Sequence, residues 1–152
     1  MDGPHPRGSR RGLLILNLDT SVLVSLLSSD ASSDRDAELL RRPGFDIVVS
    51  DFAVAEFASA MSQAVRKRDF AIMAAQNTLA NLDQWVANRA MRALTRTEDI
   101  QAAENFLRRL DLPLRAPDAI HIAIAMRLGA ALATFDERMA TSARILGAVV
   151  MA

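Results

Sequence analysis

The sequence predicts a three-layer α/β/α sandwich, in which a central, mostly parallel sheet carries helices on both faces. Two observations lead to this prediction. Short apolar runs alternate along the chain with longer segments of helical periodicity. Within these runs nearly every residue is apolar, whereas a strand with one face in water alternates apolar and polar residues. Strands that are buried on both faces and separated by helices are typical of a parallel sheet.

The first half of the chain contains two predicted strands, Leu13–Leu18 and Ile47–Ser50. A polar loop is expected over 29–36 and a turn at Pro43-Gly44. Ser50 or Asp51 is expected to cap the helix that follows the second strand. Helical patterns cover 20–28, a short segment ending at Arg42, 51–66, and a segment from Arg68 to Ala80 or beyond.

The second half continues the alternation of strands and helices. Pro117 is expected to open a helix that ends at Gly129, because proline favours the first helical turn and glycine the position after the last. Thr97 is expected to cap an earlier helix, whose first turn contains acidic residues. The predicted strands are 91–95, 131–135 and 148–151, and the predicted helices are 97–110, 117–128 and 137–146.

Composition limits the domain count and the class of protein. The chain has 152 residues, of which 51% are apolar, enough to form the core of one domain, expected over 13–152. The polar residues 1–12 are expected to form a disordered leader. No apolar run is long enough for a transmembrane helix or a signal peptide, so we expect no membrane partner and a cytoplasmic location. The absence of cysteine excludes disulfides, thiolate metal sites and cysteine nucleophiles.

Charge and missing motifs exclude several functions. The formal net charge is +0, which argues against a surface that binds nucleic acid over its whole area. Lys67 is the only lysine, whereas a phosphoryl-receiver domain needs a lysine late in the chain. The sequence contains no GxxxxGK[ST] loop, no GxGxxG fingerprint and no GxSxG elbow, so neither nucleotide binding nor serine hydrolysis has support.

Four acidic residues lie where a parallel α/β sheet binds ligands, beyond the carboxyl ends of its strands. Asp19 and Asp136 each follow a predicted strand, and each has an alternative interpretation as a helix cap. Asp118 follows Pro117, where a carboxylate also favours the helix dipole. Glu56 is harder to explain, because the positions three and four residues away on its apolar helix carry no basic side chain. It must be exposed at an edge, paired elsewhere, or bound to a metal.

If these carboxylates converge, they repel one another, and a divalent cation would relieve the repulsion. Mg²⁺ and Mn²⁺ prefer oxygen ligands and support phosphodiester hydrolysis by activating water. The residues alone leave open whether the four acids converge, because they do not fix the order of the strands.

Four stretches resemble, in chain order, the acidic motifs of PIN-domain ribonucleases of the VapC type, the toxins of bacterial type II toxin–antitoxin pairs. The stretches are LNLDTSVLVSLL, SDFAVAEFASAM, LRAPDAIHIAIAMRLGA and ALATFDERM. The resemblance implies a PIN-like domain with a Mg²⁺ or Mn²⁺ site, in which Asp19 and Asp118 are the principal ligands. Glu56 and Asp136 would complete the site directly or through water. Ser21 and Thr134 would support the ligands without contacting the ion, although ordinary helix-start and strand chemistry explains both residues equally well.

The resemblance further implies an RNA substrate, a small antitoxin protein that blocks the acidic groove, and a homodimer. The alternative is a PIN-like module without activity, serving in RNA binding or assembly. His121 could contact the substrate and the run 66–68 could contact RNA phosphates, but each has a simpler explanation as part of the fold. His121, three residues after Asp118, is expected to be a core histidine with satisfied hydrogen bonds. The run 66–68, Arg-Lys-Arg, is expected to be a solvated helix end, since cations favour helix C-termini.

Overall fold

Five parallel strands form one sheet in the computed structural model, which describes residues 14–28, 40 and 44–151. The order across the sheet is β3-β2-β1-β4-β5, and each neighbouring pair is parallel. The expected leader and the 29–36 loop lie outside the described residues, as does most of the short helix ending at Arg42. The strands are β1 (Leu14–Leu18), β2 (Phe45–Ser50), β3 (Met91–Ala93), β4 (Ala131–Ala133) and β5 (Val150–Met151).

Helices cover both faces of this sheet, which confirms the predicted fold class. The first three pack on one face and the last three lie on the other. The helices are α1 (Thr20–Leu27), α2 (Asp51–Arg66), α3 (Ile72–Arg89), α4 (Thr97–Leu107), α5 (Ala116–Arg127) and α6 (Glu137–Ile145).

Strand β4 shows how the two halves of the core are divided. Ala131 and Ala133 pack with the cluster that contains Leu16, Leu18 and Phe57, under α1 to α3. Leu132 packs on the opposite face, in the cluster of Ile122 and Met139. Successive residues of a strand point to opposite faces, so a strand between two layers must be apolar on both. This requirement explains the uninterrupted apolar runs in the sequence.

Helix α3 departs most from its predicted bounds. It begins at Ile72 rather than at Arg68, and it continues to Arg89. Arg68 has a φ of 60°, a left-handed conformation that reverses the chain after α2 and is incompatible with a helix start. The extension is stabilised by Leu82 and Val86, which are buried in the core.

The predicted cap of α4 is wrong. Arg96, not Thr97, is the N-cap residue, and its backbone N–H donates to the Asp99 carboxylate over 2.9 Å. Asp99 is the third residue of the helix, and its carboxylate satisfies the backbone N–H of the N-cap residue, as the acidic residue of a capping box does. Ser50 does cap α2, because its hydroxyl accepts from the Ala53 N–H over 3.0 Å. Strands β3, β4 and β5 are shorter than predicted. The first two end early and the last begins late, because each is limited to residues that pair with a neighbouring strand.

The position of β1 decides where a ligand can bind. The chain moves from β1 outward through β2 to β3, and then returns to the other side of β1 with β4 and β5. Such a reversal opens a crevice beyond the carboxyl ends of the two central strands. Here those strands are β1 and β4. None of the helices in the described part of the chain is long and apolar enough to cross a membrane.

Candidate functional site

Asp19 follows β1 directly and lies at the mouth of this crevice. It is the N-cap of α1, and its Oδ1 accepts from the Val22 N–H over 3.1 Å and from the Ser21 hydroxyl over 2.6 Å. Its Oδ2 accepts from the Thr134 hydroxyl over 2.5 Å. The residue is only 2% exposed, yet no arginine or lysine among the described residues forms an ion pair with it. Its donors are neutral groups, so no described side chain places a full positive charge on this carboxylate.

Two hydroxyl groups tie the end of β4 to the end of β1. Thr134 donates to Asp19 and accepts from the Asp136 N–H over 3.0 Å. Ser21 donates to Asp19 and accepts from the Phe135 N–H over 3.1 Å. Asp136 is thereby held beside Asp19 in the same crevice. It is also the N-cap of α6, so the capping interpretation of both aspartates is correct and does not exclude a second role.

Glu56 lies in the second turn of α2 with its side chain 29% exposed. Its Oε1 accepts from the Thr20 hydroxyl over 2.8 Å and forms a short hydrogen bond with Nε2 of His121. Burial alone would raise the pKa of Glu56. The hydrogen bond and charge of His121, together with the Thr20 hydroxyl, outweigh burial and hold this pKa below its ordinary value. The structure therefore shows that Glu56 is paired with a residue from another helix, His121, while part of its side chain stays exposed.

Asp118 is half-buried in the first turn of α5, and its carboxylate accepts from the backbone N–H of Arg115 over 3.1 Å. Burial raises the pKa of Asp118 above its ordinary value. The N–H of Arg115 and the charge of His121 act in the opposite direction, while the Asp136 and Glu56 carboxylates raise the pKa further. Asp118 is therefore close enough to both acids to be affected by their charge.

The four predicted acids thus lie in one region, although they do not form a closed cage. As the side chains stand, no three histidine, aspartate or glutamate residues among those described are close enough together to enclose a metal ion. The chemistry of the group nevertheless suits a hard divalent cation. All four side chains are carboxylates, Asp19 is buried without a cationic partner, and the pKa of Asp118 is raised by burial and by neighbouring carboxylates.

Sequence reasoning missed two residues of this site, Thr20 and His121. His121 is buried as expected, but its Nε2 bonds to Glu56, and its Nδ1 has no hydrogen-bond partner among the described residues. The expectation of a satisfied core histidine was therefore wrong. The available signal was the missing basic partner near Glu56, which left a partner distant in sequence as one of three possibilities. By contrast, the Arg66-Lys67-Arg68 run is exposed at the end of α2, as expected.

Comparisons with known proteins agree with the observed fold and with the family resemblance found in the sequence. A model of the PIN domain family matches residues 17–145. The chain is 34% identical over 138 residues to a curated protein named Ribonuclease VapC46 from Mycobacterium tuberculosis. The match covers 89% of this chain and 95% of that protein.

Solved structures show the same fold at lower sequence identity. VapBC2 from Rickettsia felis, solved bound to a DNA fragment from its promoter, matches with a TM-score of 0.69 and 18% identity, covering 91% of this chain and 98% of the matched chain. VapC20 from Mycobacterium tuberculosis, described as a toxin that cleaves the sarcin–ricin loop, matches with a TM-score of 0.67 and 18% identity. That match covers 90% of this chain and 98% of the other.

Proposed function

The chain belongs to the PIN domain family and within it to the VapC-type ribonucleases, and from this premise we propose that it is a metal-dependent endoribonuclease, the toxin of a toxin–antitoxin pair. The proposed dependence on a metal rests on the surroundings of Asp19. This residue is buried at the crevice between β1 and β4 without a cationic partner among the described residues. A divalent cation would supply the positive charge that the neutral donors around this carboxylate do not.

We assign the metal, Mg²⁺ or Mn²⁺, to four carboxylates. Asp19 and Asp118 would be its principal ligands, and Glu56 and Asp136 would complete the site directly or through water. A bound divalent cation would lower the pKa of a water molecule and stabilise negative charge on a phosphodiester oxygen. Ser21 and Thr134 support this assignment through their hydrogen bonds, because they fix the orientation of the Asp19 carboxylate.

The charges of the crevice residues would govern the binding of the cation and the approach of RNA. The raised pKa of Asp118 keeps a proton on this carboxyl group to a higher pH than usual while the site has no cation. A bound cation would favour the ionised form of Asp118 and relieve the repulsion from Asp136 and Glu56. The acidic crevice by itself repels RNA phosphates, so RNA would approach productively only after the charge is neutralised.

The proposal is tested by incubating purified protein with structured RNA in the presence of Mg²⁺, Mn²⁺ or EDTA. Glu56→Gln and Asp118→Asn, both checked for folding, should abolish cleavage. Asp83→Asn is the matched control, because Asp83 is an exposed acid on α3 and is expected to leave cleavage unchanged. Cleavage that persists with EDTA or in both site variants would contradict the proposal. No cleavage of any RNA, with no metal binding, would favour the inactive PIN-like module.

We further propose that a small antitoxin protein binds this chain and blocks the site, with a segment that places an arginine against the carboxylates. Support comes from the four acids, none of which has an arginine or lysine ion-pair partner among the described residues. An enzyme that cuts cellular RNA would act in the cytoplasm. Co-expression with the protein encoded by a neighbouring gene should yield a complex that does not cleave RNA.

We also propose a homodimer. A shallow apolar groove of about 330 Å³ lies between α4 and α5, lined by residues that include Ile100, Leu107, Leu110 and Ile120. Leu110 is 90% exposed beside this groove, so a second copy of the chain that covered it would bury apolar surface from both. Light scattering should give twice the mass of the chain, and Leu110→Lys should shift the equilibrium toward the monomer.

A further inference from the structure

Among the described residues, hydrogen bonds reach only one of the two carboxylate oxygens of Glu56. Oε1 receives the Thr20 hydroxyl over 2.8 Å and bonds to Nε2 of His121. None of the described residues donates a hydrogen bond to Oε2. The side chain is 29% exposed, so a ligand can reach this carboxylate group.

The groups that hold Oε1 belong to two other helices. His121 lies on α5, and its ring packs against Phe52 of α2 with a centroid distance of 5.2 Å and an interplanar angle of 59°. The residue is 1% exposed, so neighbouring side chains restrict its rotation. Thr20 is the first residue of α1, immediately after Asp19, and its hydroxyl lies 3.4 Å from the same Nε2. Helices from opposite layers of the sandwich therefore meet at Glu56.

The direction of these hydrogen bonds follows from the acceptor, the carboxylate of Glu56. An ionised carboxylate only accepts hydrogen bonds, so the Thr20 hydroxyl and Nε2 of His121 both donate to Oε1. Glutamate has a flexible side chain, and two donors on one oxygen restrict its rotamer before any ligand arrives.

We propose that His121 and Thr20 are positioning residues, which hold Glu56 by Oε1 so that Oε2 is presented to the metal site. This inference rests on the proposed function. Hydrogen bonds to a ligating group restrict its orientation, and removing such a partner typically lowers metal affinity by about 10- to 100-fold. His121 would act through Glu56 and would not contact the metal itself.

The first test measures Mn²⁺ binding by calorimetry, without RNA. His121→Leu, which keeps an apolar volume but has no donor, should weaken binding by about 10- to 100-fold. His121→Gln, whose amide can donate near the position of Nε2, should recover most of the affinity. Thr20→Val removes the second donor and should cause a smaller loss. Val86→Ala is the matched control, because it creates a cavity in the core on α3 and does not touch Glu56.

The second test needs no metal. The chain contains two histidines, His5 and His121, so the imidazole region of a ¹⁵N NMR spectrum has only two sets of signals. In the metal-free protein, the Nε2 proton of His121 should be protected from exchange, and Glu56→Gln should shift its signal. The signals of His5 should not change.

The outcomes separate this inference from the proposed function. Equal Mn²⁺ affinity in wild type and His121→Leu would overturn the inference and leave the nuclease intact. The same holds if His121→Gln fails to recover affinity, or if Val86→Ala loses as much as His121→Leu, because the histidine would then be merely structural. An unchanged His121 signal in Glu56→Gln would also overturn it. A wild-type protein that binds no Mn²⁺ would overturn the metal site itself, and both proposals with it.

Discussion

The hydroxyl of Thr134 donates a hydrogen bond to Oδ2 of Asp19 over 2.5 Å, although 115 residues separate them in the sequence. Both residues are almost completely buried, with exposed fractions of 1% and 2%. The same hydroxyl accepts from the Asp136 N–H over 3.0 Å. One side chain at the end of β4 therefore fixes two of the four acids relative to each other, at the point where the order of the strands reverses.

Thr134→Val should reduce both stability and RNA cleavage. Valine has nearly the same shape but no hydroxyl, so one buried acceptor and one backbone donor lose their partner, at a cost of about 1–3 kcal/mol in the free energy of unfolding. Urea denaturation and the cleavage assay measure the two effects. Thr134→Ser keeps the hydroxyl and should retain most of both. A valine variant as stable and as active as wild type would show that this hydrogen bond does not position Asp19.

Asp118→Asn should make the metal-free protein more stable at neutral pH while abolishing cleavage. The pKa of Asp118 is raised by burial and by neighbouring carboxylates, so ionisation at neutral pH opposes folding. The contribution of this group to stability is fully present below its ordinary value of 3.8 and is lost as pH rises through the folded-state pKa. Asparagine stays neutral and can still accept from the Arg115 N–H. The gain should therefore vanish as the pH falls below 3.8, which urea denaturation across this range would measure.

Arg127→Leu should be strongly destabilising. The guanidinium of Arg127 pairs with Asp99 through Nε over 2.7 Å and through Nη2 over 2.9 Å, and Nη2 also donates to the Leu94 carbonyl. Asp99 is 1% exposed, so the substitution leaves a buried carboxylate without its cation, at a cost of about 3–5 kcal/mol. Arg127→Lys keeps the charge but loses the bidentate geometry, so its stability should lie between that of wild type and that of Arg127→Leu. If leucine and lysine cost the same in urea denaturation, the geometry rather than the charge is what matters.

Thr95→Val should produce a loss of stability that depends on pH. The hydroxyl and the backbone N–H of Thr95 both donate to Oδ1 of Asp51. Burial alone would raise the pKa of Asp51, but these hydrogen bonds, with that of the Phe52 N–H and the charge of Arg92, hold it below its ordinary value. The stability from this group is thus present above pH 3.8 and is lost as the pH falls through the lowered value.

At neutral pH, Thr95→Val should cost about 1 kcal/mol, since only the hydroxyl is removed and the backbone donor remains. Thermal unfolding of the two proteins over an acidic pH series would show whether their difference shrinks in acid. A difference that stays constant down to the lowest pH would mean that Thr95 stabilises the fold by packing rather than by bonding the ionised carboxylate.

Local patterns were sufficient to predict the layers of the fold and the places of the four acids. The apolar runs of β1 and β2 and the helix patterns after them depend on burial over a few residues, which neighbouring sequence determines. Asp19 and Asp136 could be located because Asp19 follows β1 directly and Asp136 lies shortly after β4, and parallel strands end at one edge. Errors occurred at boundaries, such as the start of α3 at Ile72, where a left-handed residue intervenes.

The sequence by itself determined the α/β class, the places of the four acids along the chain and the lack of a basic partner near Glu56 on its own helix. Only the tertiary structure decided what that partner is. His121 is 65 residues away on a helix of the opposite layer, and Thr20 is 36 residues away in the other direction. No periodicity within α2 or α5 specifies such a contact, because it depends on the strand order and on how helices from the two layers approach beyond the edge of the sheet.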